Sequence, residues 1–173
     1  MLQKVPKIAI ICYSKTGHSR NLAERLALML DIDVFDLHTK RYGMPFFGFL
    51  RAGFDSVQGK LPPLQHPLPD IAGYDAAIIC GPVWTSYPAT PLINYMQEET
   101  RLPAALGLVL THSDPKRPDD AFAKAEQIVG RPFVAVEAVL DKEVFLPDVE
   151  GRLAAFAEDM RLASQGALNM SGW

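Results

Sequence analysis

The 173-residue chain predicts a single α/β domain, residues 1–173, built on a mainly parallel five-stranded sheet. Three observations carry this expectation. Hydrophobic residues make up 49% of the chain and charged ones 21%, ordinary globular values that favour folding by burial over disorder or fibre formation. Short apolar runs recur without polar alternation, as in strands buried on both faces of a parallel sheet. Between them lie stretches in which apolar residues return at helical spacing, so strands and helices alternate.

The first strand is Ile8-Ala9-Ile10-Ile11-Cys12-Tyr13. Leu22, Ala23, Leu26, Ala27 and Leu30 then fall on one helical face, with Arg20, Glu24 and Arg25 elsewhere, so residues 18–30 are expected to form an amphipathic helix. Asp33–Leu37 is a short second strand, and Ala76–Cys80 a buried third one followed by a short helix over Pro91–Thr100. Ala105–Leu110 and Phe133–Val139 complete the sheet, with helices over 119–129 and 149–164. Residues 38–73 break the rhythm: these 36 residues hold five Gly and five Pro where one helix is expected. Tyr42, Phe46, Phe47, Phe49 and Phe54 lie there, with Lys40, Arg41, Arg51 and Lys60 against Asp55 and Asp70. A helix over 46–57 could pack its aromatics on the sheet, or the segment could be a site wall or a homodimer face.

Seventeen Lys and Arg against twenty Asp and Glu give a net charge of -3, without the basic field of a nucleic-acid binder. The two cysteines, Cys12 and Cys80, sit in apolar runs and have no zinc spacing, which is the usage of a reduced, cytoplasmic protein. The apolar run after the N-terminus is too short for a signal-peptide core. Nothing approaches the ~18 apolar residues of a membrane helix. Neither nucleic acid nor a membrane is therefore an expected partner, and no metal is expected.

In open parallel sheets, ligands bind beyond the carboxyl ends of the strands. After strand one, Ser14-Lys15-Thr16-Gly17-His18-Ser19 offers three hydroxyls, a glycine and a helix start. A helix N-terminus receives a phosphate through free N–H groups and the helix dipole, though Ser14 and Thr16 could also simply cap the helix. Neither GxxxxGK[ST] nor GxGxxG is present, which leaves a cradle for a single phosphate. After strand three, Gly81-Pro82-Val83-Trp84-Thr85-Ser86-Tyr87-Pro88 presents two aromatics that could stack on a planar ligand, or plug the sheet edge. After strand four comes Thr111-His112-Ser113-Asp114. The three loops together describe a site for a planar ring carrying a monophosphate.

Two other parallel-sheet chemistries fail on spacing. A cysteine phosphatase needs C-x5-R, whereas Cys12 and Arg20 stand at C-x7-R. A phospho-acceptor receiver domain needs an Asp where the third strand ends in Cys80-Gly81.

Ser14-x-Thr16-Gly17-x-Ser19 resembles the [ST]-x-T-G-x-[ST] phosphate loop of the flavodoxin-like family. Tyr74-Asp75 through Gly81-Pro82-Val83-Trp84 resembles its third strand and second flavin loop, in a bacterial branch ending in G-x-P-V-W. The resemblance covers nearly the whole chain. It implies a flavodoxin-like three-layer sandwich with strand order 2-1-3-4-5 and FMN at the carboxyl edge. It also implies that Ser14, Lys15, Thr16, Gly17, His18 and Ser19 hold the phosphate, while Pro82, Val83, Trp84 and Thr85 line the isoalloxazine. Thr111, His112 and Ser113 fall at the third loop, where His112 and Asp114 depart from the small residues of relatives. His112 is the candidate for a catalytic role, because a protonated imidazole would stabilise a reduced, anionic ring; the alternative is a solvated loop histidine.

The implied function is FMN-dependent electron transfer, as a small NAD(P)H-dependent oxidoreductase acting on quinones or similar acceptors. Dedicated flavodoxin shuttles are strongly acidic, and -3 argues against that role. A shuttle between redox partner proteins, or a flavin-free interaction module, are the alternatives.

Overall fold

In the computed structural model, which describes residues 5–99 and 101–170, the apolar runs pair side by side as expected. The elements are β1 (Ile8–Cys12), α1 (His18–Leu30), β2 (Val34–Asp36), α2 (Pro45–Gln58), β3 (Ala76–Trp84), β4 (Tyr87–Pro88), α3 (Thr90–Glu98), β5 (Ala105–His112), α4 (Asp119–Val129), β6 (Ala135–Leu140) and α5 (Asp148–Met170). Five strands form a parallel ladder in the order β2-β1-β3-β5-β6. This is the expected 2-1-3-4-5 arrangement, with a sixth short strand, β4, folded antiparallel onto β3.

Burial explains why these runs lack alternation. Ile11, Ile79 and Leu108 pack on one face with Leu92 and Tyr95 of α3 and Phe122 of α4. Ile10, Ile78 and Val109 pack on the other with Leu22 and Leu26 of α1 and Leu153, Phe156 and Met160 of α5. Each such side chain contributes about 1.5–3 kcal/mol when enclosed. A polar residue on either face would forfeit that and strand an unpaired group.

Four expectations about boundaries are revised. β3 runs through Trp84, because Val83 pairs with Pro88 and Trp84 with Tyr87, so the anticipated loop is a ribbon turning at Thr85-Ser86. β5 extends to His112 through its ladder with Leu140. α5 reaches Met170, well past residue 164. The helix expected over Pro91–Thr100 ends at Glu98, and Thr100 lies outside the described residues.

The 38–73 segment forms the expected helix but does not pack its aromatics on the sheet. Helix α2 turns small and polar residues inward, Gly48, Ala52, Asp55 and Ser56. Phe46, Phe47, Phe49 and Phe54 are exposed. Leu64 and Ile71, from the irregular stretch after α2, cover the sheet instead. That stretch is tied down where Gln65 N–H donates to His38 O at 2.9 Å and Asn94 Nδ2 donates to Pro62 O at 2.6 Å.

Candidate functional site

The carboxyl ends of β1, β3 and β5 open into two adjoining cavities. One, of about 270 Å³, lies between the 14–19 loop, the β3 end and α2; Thr16, Trp84, Ala52 and Asp141 are among its walls. The other, of about 450 Å³, lies between the β3–β4 ribbon and the β5–α4 loop, where His112, Lys116 and Arg117 line it. Val83, Thr85 and Ser113 border both, so the two adjoin along the end of β3.

The first turn of α1 is uncapped and free of acids. Gly17 takes φ +94°, a left-handed conformation that side chains other than glycine rarely adopt, and a Cβ placed on it meets no atom within 4 Å. Ser14 Oγ accepts from Gly17 N–H at 3.1 Å, and so holds the turn without capping the helix. The opening turn thus keeps its helical N–H groups directed at the cavity end of the helix.

The other residues singled out in this loop are placed less uniformly. Lys15 borders the cavity, but its ammonium donates to Tyr42 O and lies 4.8 Å from the centre of the Phe49 ring. Ser19 is buried, and its hydroxyl is 2.7 Å from that of Thr111, a bond that links the first and third loops. Thr111 is itself 1% exposed and borders neither cavity. His18 Nδ1 stands 3.4 Å from Asp141 Oδ1, and its ring packs edge-on to Phe145.

Trp84 is held edge-on between Tyr13, with ring centres 5.6 Å apart, and Tyr42, at 5.1 Å. Its carbonyl accepts from Ser56 Oγ at 2.8 Å and from Thr85 Oγ1 at 2.6 Å. Thr85 carries φ +59°, an outlier for a β-branched residue and the kind of strain retained near binding sites. Its hydroxyl also lies 2.8 Å from Ser56 Oγ, which pins the ribbon to α2.

His112 is the last residue of β5 and is buried, not a solvated loop side chain. Its Nδ1 is 2.7 Å from Asp114 O. A carbonyl only accepts, so Nδ1 carries the hydrogen and Nε2 is the ring nitrogen left for another partner.

Helix α2 walls the smaller cavity through Phe49, Ala52 and Gly53, the site-wall alternative for the 38–73 segment, and residues 38–44 brace that helix from behind. Asp55, fully buried, accepts from Arg41 Nη2 and from the Tyr42 hydroxyl, both at 2.9 Å. The Arg41 hydrogen bonds hold the Asp55 carboxyl below its usual range against the opposing effect of burial, and the Tyr42 bond adds to them. Burial pushes Tyr42 up to about 12, so its phenol stays protonated and also bonds Thr90 at 2.9 Å. Close approach requires glycine at 48: a Cβ there would stand 2.5 Å from Tyr42 O and 2.9 Å from Lys15 Nζ. Gly48→Ala should therefore cost about 1–3 kcal/mol despite better helix propensity, read as a lowered denaturant midpoint. A raised midpoint would show that this contact does not constrain the helix.

Cys12 and Cys80 face each other in register and are fully buried. The hydrogen bond with Cys12, and then burial, push the Cys80 thiol well up. Neither sulfur is a poised nucleophile. Among the described residues no cluster of His, Cys, Asp and Glu suits a metal ion, and no helix is long and apolar enough to cross a membrane.

No protein-family model matches the chain, and no curated protein matches it in sequence. Solved structures do. A flavoprotein of Lactobacillus acidophilus, solved in complex with FMN, superposes with a TM-score of 0.65 at 21% identity, covering 80% of this chain and 96% of its own. A flavodoxin of Streptococcus pneumonia gives 0.54 at 15% identity, covering 90% and 98%. Rubredoxin oxygen:oxidoreductase of Desulfovibrio gigas gives 0.62 at 12% identity, covering 94% of this chain but 37% of its own. The fold is flavodoxin-like, whether it stands alone or as part of a larger chain.

Proposed function

We propose that this flavodoxin-like chain binds FMN and works as a small NAD(P)H-dependent reductase of quinones or similar acceptors. The observation that carries the proposal is the uncapped, acid-free first turn of α1 opening into a crevice bounded by Trp84 and by the β5–α4 loop. A phosphate on the open side of Gly17, next to the part of the cavity walled by Ser14 and Thr16, would have the N–H groups of the turn and the Thr16 hydroxyl as donors. The neighbouring space between Val83, Thr85 and Ser113 suits a flat ring, and Trp84 is already immobilised by its two tyrosines. FMN, the ligand of the Lactobacillus acidophilus flavoprotein, has both parts.

When bound, FMN would supply the one- or two-electron chemistry, and the protein would supply position and field. Asp55, through Tyr42 and Ser56 through the Trp84 carbonyl, would keep the ring wall fixed. His112 would hold or release a proton at Nε2, because Nδ1 is committed to Asp114 O. Lys116, on the wall of the larger cavity, would receive a phosphate of a nicotinamide nucleotide; Arg117 beside it is already 3.0 Å from Asp119, and Asp114 and Asp120 line the same cavity. A net charge of only -3 favours a nucleotide donor over a protein one steered by charge.

Titration with FMN, with riboflavin as the phosphate-free control, tests the cofactor. Two or more charge-assisted bonds to phosphate at about 1.5 kcal/mol each should make FMN bind about a hundredfold more tightly. Equal affinities would remove the 14–19 loop from the site. Anaerobic addition of NADH or NADPH then tests the donor: loss of the oxidised flavin's absorbance supports a reductase, and an unchanged spectrum would favour an electron shuttle.

A further inference from the structure

Helix α2 carries a feature that the crevice does not use. Phe46, Leu50, Phe54 and Val57, at i, i+4, i+8 and i+11, form a stripe opposite the buried Gly48, Ala52 and Asp55. Each of the four is more than half exposed, at 70, 59, 56 and 76% respectively, with Phe47 at its flank. Charge accompanies the stripe. Residues 38–61 hold Lys40, Arg41, Arg51 and Lys60 against one carboxylate, Asp55, which is buried on Arg41. The segment is +3 in a chain of -3, so everything outside it sums to -6. Lys60 Nζ lies 5.2 Å from the centre of the Phe54 ring, an apolar stem reaching across an aromatic with its charge outward.

We infer that α2 is a peripheral docking helix for an anionic lipid surface. Aromatic and leucine side chains on one face, rimmed by lysine and arginine, are the composition of a helix that lies in the headgroup boundary. This mode of contact differs from spanning, and the lack of an 18-residue apolar stretch bears only on spanning. A second copy of the chain fits the face less well. At 1.5 Å per residue the 14-residue helix is about 21 Å long and about 10 Å wide, a footprint of about 200 Å². A stable dimer needs about 800 Å² from each partner. A two-fold axis through the stripe would also set the two +3 segments against each other.

Phe49, Ala52 and Gly53 of the same helix wall the smaller cavity. A docked molecule would therefore hold its crevice close to the bilayer, within reach of an acceptor dissolved there. That consequence rests on the proposed redox function; the docking does not.

Sedimentation with vesicles of phosphatidylcholine, or of phosphatidylcholine mixed with phosphatidylglycerol, tests the inference. Each cation near an anionic surface raises partitioning about fivefold, so the net +3 predicts about a hundredfold preference for the anionic vesicles, lost in high salt. The double variant F46S/L50S should stay in the supernatant with an unchanged melting temperature and unchanged FMN titration, because neither side chain lines the crevice. Failure of the wild type to bind anionic vesicles at low salt would overturn the proposal, as would equal binding by the double variant. A wild-type dimer in analytical ultracentrifugation that the double variant abolishes would overturn it too, by assigning the face to a second copy. FMN titration of the same samples is independent of these outcomes, so failure of docking and failure of the flavin site are read separately.

Discussion

Asp55→Ala is expected to destabilise the protein by about 2–3 kcal/mol, a fall in melting temperature of about 5–10 °C for a domain of this size. The side chain is completely buried on α2 and is the shared acceptor for the Arg41 guanidinium and the Tyr42 hydroxyl. Removing one partner of a fully buried pair typically costs about 3–5 kcal/mol. The lower figure applies here because the Arg41 side chain keeps a quarter of its exposure and can rehydrate, and Tyr42 retains Thr90. The loss should spread to the site, since Tyr42 packs edge-on to Trp84 and its carbonyl receives the Lys15 ammonium. FMN affinity should fall along with stability.

The same carboxylate gives a pH signature. Its folded pKa is depressed, with the Arg41 hydrogen bonds as the main cause. Its contribution is therefore fully present above the unfolded carboxylate value of about 4, and disappears as pH falls through the folded value below that. The stability difference between wild type and Asp55→Asn should be constant from neutral pH to about pH 4 and shrink only at lower pH. A difference that already shrinks above pH 5 would mean that another group accounts for the effect.

How far the sequence reached depended on where periodicity was strong. Ile8–Cys12 and Ala76–Cys80 could only be strands buried on both faces, and α1 and α4 were bounded to the residue by their apolar spacing. The β3–β4 ribbon was hidden because its strand, Gly81 to Trp84, contains a proline and a glycine, and because its turn places a threonine at positive φ. Local propensity argues against both. Helix α2 was legible as a helix and illegible as a surface, since an amphipathic pattern does not say which face turns inward. Here the smaller face does, because Gly48 and Ala52 admit the close approach of residues 38–44.

The site divided along the same line. The 14–19 loop stood out because its chemistry is local, with hydroxyls, a glycine and a helix start in six consecutive residues, of which Ser14, Lys15, Thr16 and Ser19 border the smaller cavity. Phe49, Ala52, Gly53 and Asp141 border the same cavity but come from distant elements and bear no binding signature of their own. Thr111 shows the opposite case. It is a polar residue at the right edge of the sheet, yet it borders neither cavity, and its hydroxyl bonds that of Ser19, which does border the smaller one, so joining the third loop to the first. Position and residue type could not distinguish a hydroxyl that faces a ligand from one that holds two loops together.

Gly17→Val is expected to reduce FMN affinity about a hundredfold or more while leaving the protein folded. The position tolerates a side chain sterically in one respect only, since a Cβ meets no protein atom within 4 Å. That open space is where a phosphate would have to lie to reach the first-turn N–H groups of α1, so the isopropyl group competes with the ligand and not with the core. Two blocked charge-assisted bonds at about 1.5 kcal/mol each account for the expected factor. The φ of +94° adds backbone strain of about 1–3 kcal/mol, which a domain stable by about 5–15 kcal/mol survives. Gly17→Ala separates the two effects, because it carries most of the strain and little of the bulk. Isothermal titration should then rank wild type first, alanine next and valine last, with circular dichroism unchanged across the three. If valine and alanine bind FMN equally and both melt early, the glycine serves the turn alone. If valine binds as tightly as wild type, the phosphate does not lie over Gly17, and the donors for it must be sought along the β5–α4 loop near Lys116 and Arg117.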